Sequence, residues 1–176
     1  MKAPRVLTTP SVPLVLGCRR GADLWYFDRY AQVGPPEIYP ELTRFATASV
    51  DIWDPYFTAD DHILLAGVAP GITVRHLFQG ATYPAKCAVY RGQIDATNKR
   101  YPQLAFSARY CCSNEGPGFH DRFLIVDHAR VFAVGASLRS HYRDDRSTGV
   151  VELRHPADQL MLVEIFEEYW QRAKVP

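Results

Sequence analysis

The stretch Phe119-His120-Asp121-Arg122-Phe123-Leu124-Ile125-Val126-Asp127 holds both a folding signal and the chemistry of this chain. Its apolar and β-branched run predicts a strand over 119–126. Side chains on a strand alternate, so His120 and Arg122 share one face while Phe123 and Ile125 turn toward a core. A tight Asp127-His128-Ala129 turn and a second strand over 130–135 follow. Upstream, Gly34-Pro35-Pro36 precedes a helix over 37–47, and Val50-Asp51-Ile52-Trp53-Asp54-Pro55-Tyr56-Phe57 reads as a strand stopped by proline. Thr58 caps a helix over 59–68, and Pro70-Gly71 turns the chain into a strand over 72–78. A helical stretch over 84–99, a strand over 104–111 and a loop at 114–118 lead into the quoted segment. Downstream lie a strand over 147–153 and a helix over 157–174, where Leu160, Val163, Phe166, Trp170 and Ala173 recur at helical spacing. Residues 13–17 read as a short strand, and Trp25-Tyr26-Phe27 as another packed on the core. This alternation predicts an α/β layered sheet.

The bulk properties agree. A chain of 176 residues fits one domain, and 47% apolar with 22% charged residues excludes disorder, collagen-like repeats and coiled coil. The net charge of +1 means that no large single-sign field advertises a nucleic-acid or membrane partner. The 20 basic residues divide into 4 Lys and 16 Arg, a bias that suits bidentate phosphate recognition and equally a compositional drift. Cys18, Cys87, Cys111 and Cys112 form neither a disulfide framework nor a zinc-ligand spacing, which fits reduced thiols in a cytoplasmic protein. No segment reaches the roughly 18 apolar residues of a membrane span, so no stable membrane insertion is expected.

A histidine beside a fixed cation on one strand face is a compact phosphate site. The imidazole attacks phosphorus or carries a proton, while the guanidinium holds non-bridging oxygens. Asp127, ending the strand, accepts turn amides and fixes the geometry. Gly135 lets another backbone approach closely, and Ser137 offers a hydroxyl to the same pocket. Asp54 faces the pocket side or caps a turn. Arg139, His141, Arg143 and Arg146 follow closely and suit a substrate loop, their field partly cancelled by Asp144 and Asp145. Lys86, Arg91, Lys99 and Arg100 read as a phosphate-tracking face or a plain solvated one.

The chain resembles the phospholipase D superfamily, whose signature is H-x-K-x-x-x-x-D followed by a small-residue G-S-type turn. His120, Arg122 and Asp127 match the spacing, and Gly135-Ala136-Ser137 resembles the later turn. Ile52 to Phe57, Gly71 to Arg75, Thr148 to Glu152 and Phe166 to Trp170 resemble further family segments in the expected order, from about residue 36 to 172. The resemblance implies a mixed β-sheet flanked by helices on both faces, as one half-lobe spanning 1–176, with 1–35 as an N-terminal extension. It also implies metal- and cofactor-independent phosphodiester cleavage, with nucleic acid as substrate. His120 would be the nucleophile or its acid/base twin, Arg122 would stabilise the phosphorane, and Glu152 would accept a hydrogen bond from His120. Asp127 would be structural, and Ser137 a phosphate or Arg122 partner. The sequence departs from the pattern in two ways: Arg122 replaces the usual lysine, and only one motif is present. Chemistry that needs two histidines then requires a homodimer with a shared central site. A phospholipid-headgroup enzyme and a catalytically impaired nucleic-acid-binding protein are the competing readings.

Overall fold

The structure is a computed structural model that describes residues 12–15, 18–20, 24–27, 35–56, 65–80, 84–112, 119–135 and 148–176. Nine strands form one mixed sheet: β1 (Val12–Val15), β2 (Cys18–Arg20), β3 (Leu24–Phe27), β4 (Ser49–Trp53), β5 (Thr73–Gly80), β6 (Ala105–Cys112), β7 (Phe123–Val126), β8 (Arg130–Val134) and β9 (Thr148–Leu153). Three helices accompany them: α1 (Pro35–Thr43), α2 (Pro84–Arg100) and α3 (Pro156–Arg172). The strand order is β1-β2-β3-β9-β8-β7-β4-β5-β6. Strands β4, β5 and β6 run parallel, with α2 as the crossover between β5 and β6, and the other pairings are antiparallel.

Alternation along the strands builds two cores. Val50, Ile52, Val74, Leu124, Val126, Phe132 and Val150 face one side, where Tyr39 and Leu42 of α1 and Tyr90 and Ile94 of α2 pack on them. Trp53, Leu77, Ile125 and Val131 face the other, against Phe166 and Trp170 of α3. A sheet covered on both faces reads as near-continuous apolar runs, which is why β4, β5 and β7 stand out in the sequence.

The elements fall where the sequence places them, with shifted ends. Helix α1 stops at Thr43, four residues early, because the amides of Thr47 to Ser49 are drawn to Asp127 instead of continuing the helix. Strand β4 stops at Trp53, because the Tyr56 amide turns back to Asp54 Oδ1 at 2.9 Å. Most of the expected 59–68 helix lies outside the described residues; its described part, 65–67, is one tight turn. The β7–β8 turn places Asp127 and His128 at φ 54° and 52°, the left-handed pair that a type I′ hairpin turn requires.

Candidate active site

The signature residues lie where β4 ends and β7 begins. Strand β7 starts at Phe123, so His120 and Arg122 sit in an irregular lead-in, not on the strand itself as the alternation predicted. Trp53 fixes this lead-in from both ends. Its indole meets the Phe119 ring edge-on at 5.6 Å and the Phe123 ring at 5.4 Å. Phe119 also stacks on Tyr169 of α3. Three residues are thus held between two buried anchors, with His120 exposed and Arg122 half-buried. The Arg122 carbonyl accepts the Val134 amide at 2.9 Å, which ties the lead-in to β8.

A narrow cleft opens here, lined by Ile52, Trp53, Asp54, Arg122, Phe123, Leu124 and Val134. Arg122 Nε is buried and makes no hydrogen bond among the described residues; the Tyr39 hydroxyl behind it is likewise unbonded. Burial, and then the Asp54 charge, push the Tyr39 phenol far above its usual pKa, while Arg122 pulls it back. Tyr39 is therefore a neutral hydroxyl near a buried carboxylate and a guanidinium. The Arg122 guanidinium also lies 5.8 Å from the centre of the half-exposed Tyr56 ring. Beneath them His76 is fully buried, 3.4 Å from the Asp54 carbonyl. Burial lowers its pKa to about 3 although the Asp54 and Tyr56 carbonyls favour the charged ring, so it is a neutral strut under the site.

The other expected residues divide. Asp127 caps the connection into β4, not its own turn. Its carboxylate accepts the amides of Thr47, Ala48 and Ser49 at 2.8–3.1 Å and the Thr47 hydroxyl at 3.0 Å. Glu152 requires a correction, because it receives Arg130 Nε at 2.8 Å and not His120. The β8–β9 register explains this. Val150 pairs with Val134, beside Arg122, and Glu152 pairs with Phe132, two residues farther from the His120 end. Gly135 donates its amide to the Gly149 carbonyl at 2.9 Å, the close backbone approach expected of it. Ser137, Arg139, His141, Arg143 and Arg146 lie outside the described residues. The sequence reading missed Tyr39 and the clamping role of Trp53, since neither carries a motif.

A second charged cluster occupies the opposite end of β4 on the other sheet face. Arg75 bonds Asp51 Oδ1 and Oδ2 at 2.7 and 2.8 Å and also reaches Glu167, while His128 Nε2 lies 3.0 Å from Asp51 Oδ2. Burial opposes the Arg75 charge, but the bonds to Asp51 and Glu167 outweigh it and raise its pKa. Asp51, His128 and Glu167 present atoms within 4.8 Å of one another, as metal ligands do. The guanidinium between them already supplies the positive charge, so the group is an ion-pair network.

No family model and no curated protein matches this sequence. Solved structures do match. Nuc from Salmonella typhimurium, described as a phospholipase D family member, superposes with a TM-score of 0.60 at 17% identity, covering 87% of this chain and 95% of that one. NucT from Helicobacter pylori gives 0.57 at 12% identity, with 80% and 89% covered. The chain has the phospholipase D fold. Its sheet and flanking helices therefore agree with the expected architecture. Among the described residues, no helix is long and apolar enough to cross a membrane.

Proposed function

We propose that this phospholipase D-fold chain is a cytoplasmic, single-domain, metal-independent phosphodiesterase that cleaves nucleic acid at a site shared by two copies. The observation that carries the reading is the held His120–Arg122 lead-in, whose guanidinium has no internal carboxylate bonded to it among the described residues. An arginine whose charge is not spent inside the fold is available to a phosphate.

The chemistry follows in two displacements. An imidazole nitrogen of His120 attacks phosphorus, the P–N bond forms and the P–O bond to the leaving oxygen breaks. The same histidine of a second copy, protonated, gives its proton to that oxygen. Now neutral, it takes a proton from water, whose oxygen attacks phosphorus and breaks the P–N bond. Arg122 stabilises the charge on the phosphorane oxygens at each step. Ser137, Gly135 and Arg139 remain the proposed contacts for the substrate beyond the reacting phosphate. Glu152, paired with Arg130, has no orienting role in this scheme. The second reading, a binding protein that has lost catalysis, draws on Arg122 standing in the lysine position.

Purified protein incubated with single-stranded DNA, duplex DNA, RNA or phosphatidyl lipid in excess chelator separates these readings. Cleavage of nucleic acid that survives chelation and falls at least about a thousandfold in His120→Ala is the expected result. His120 is exposed, so the variant folds normally. Binding without cleavage supports the impaired reading, and lipid turnover alone overturns the nuclease one. A strictly monomeric active protein would end the shared-site scheme.

A further inference from the structure

We infer that Tyr56 is the stacking platform for an unpaired nucleobase beside the reacting phosphate, so that the site takes single-stranded nucleic acid in preference to duplex. The inference rests on the nuclease reading above and adds the form of substrate. Tyr56 is 50% exposed at the rim of the cleft, while the neighbouring rings Trp53, Phe119 and Phe123 are packed together in the interior. Its backbone is nonetheless fixed. The Tyr56 amide donates to buried Asp54 Oδ1 at 2.9 Å, and the preceding Pro55 carbonyl accepts the Gln79 amide at 3.0 Å. A ring held on a rigid backbone loses little freedom when a ligand stacks on it.

Its position beside the cation gives the ring a chemical meaning. The Arg122 guanidinium lies 5.8 Å from the ring centre, within cation–π range, so the phosphate-binding group and the ring are neighbours. A nucleotide presents a phosphate and a flat base side by side along its backbone, and this pair of side chains matches that order. An acyl chain offers no planar face for the ring. A base inside a duplex is already stacked between its neighbours, so only an unpaired or extruded base can use the platform.

The test uses the His120→Ala protein, which binds without turnover, and fluorescein-labelled DNA 12-mers: single-stranded, duplex, and single-stranded with abasic positions throughout. Tyr56→Ala should weaken binding of the base-bearing single strand about tenfold, Tyr56→Phe should keep it, and affinity for duplex and abasic strands should change little. In the His120-intact protein, Tyr56→Ala should raise KM for single-stranded DNA more than it lowers kcat. Unchanged single-strand affinity in Tyr56→Ala, or equal losses on all three probes, overturns the platform while leaving the nuclease reading standing. Parent protein that neither binds nor cleaves any nucleic acid overturns both.

Discussion

The two ends of strand β4 carry similar residue types and use them in opposite ways. At its start, Asp51, Arg75, His128 and Glu167 are bonded to one another, and Asp127 is saturated by three amides and a hydroxyl. At its end, Arg122 has a buried Nε without a partner among the described residues, Tyr39 an unbonded hydroxyl, and His120 faces solvent. The first end has more charge, yet its charges cancel locally and hold the fold. The second has fewer charges but leaves them available. What the fold leaves uncommitted, more than how many charges it gathers, distinguishes a site from a strut.

Substitution of the two arginines sharpens this contrast most. Arg122→Met should cut nucleic-acid cleavage by about a hundred- to a thousandfold, the usual cost of removing one donor to a developing oxyanion. Its melting temperature should barely move, because no internal bond of that side chain is lost. Arg122→Lys restores the family's residue and should recover most of the rate in single-turnover assays. If Arg122→Met instead unfolds the protein while cleaving normally when folded, the two ends have been assigned the wrong way round.

Asp51→Asn should do the reverse. Asp51 is almost fully buried and Arg75 largely so, and breaking a buried pair leaves an uncompensated charge. The expected loss is about 3 kcal/mol of unfolding free energy in urea. Glu167 retains part of the Arg75 charge compensation, which keeps the loss at the lower end of such values. The cleavage rate per folded molecule should stay within about twofold. A rate loss as large as that of Arg122→Met would show that the ion-pair network takes part in the reaction.

The contrast also sorts what was legible in the sequence. The strands were readable because β4, β5 and β7 are buried on both faces and so carry uninterrupted apolar runs. The family spacing marked His120, Arg122 and Asp127, whose separations are local in the chain. Partnerships were not readable. Asp127 binds amides about 80 residues upstream, so a helix over 37–47 looked sound from local propensity although tertiary bonds end it at Thr43. Glu152 pairs with Arg130 through a cross-strand register that no spacing reveals. Tyr39 sits in an ordinary helix, and only packing brings it behind Arg122.

The smallest expected effect lies in the Asp127 cap. Burial opposes its ionised form, but the amides of Ser49, Thr47 and Ala48 and the Thr47 hydroxyl overcome this and hold the carboxyl below its usual pKa. A depressed folded-state pKa means that the unfolded chain takes up the proton first. The stabilisation is therefore fully present above about pH 4, the unfolded value, and is lost as pH falls through the lower folded value. Asp127→Ala should cost about 1 kcal/mol at neutral pH, as loss of a comparable helix cap does. The gap between wild type and variant in urea melts should then close on acidification below pH about 4. Cleavage should persist in the variant, because the cap braces the start of β4 while Trp53, at the other end, holds the His120 lead-in. A gap that stays constant with pH would mean that the three amides respond to the shape of the Asp127 side chain and not to its charge.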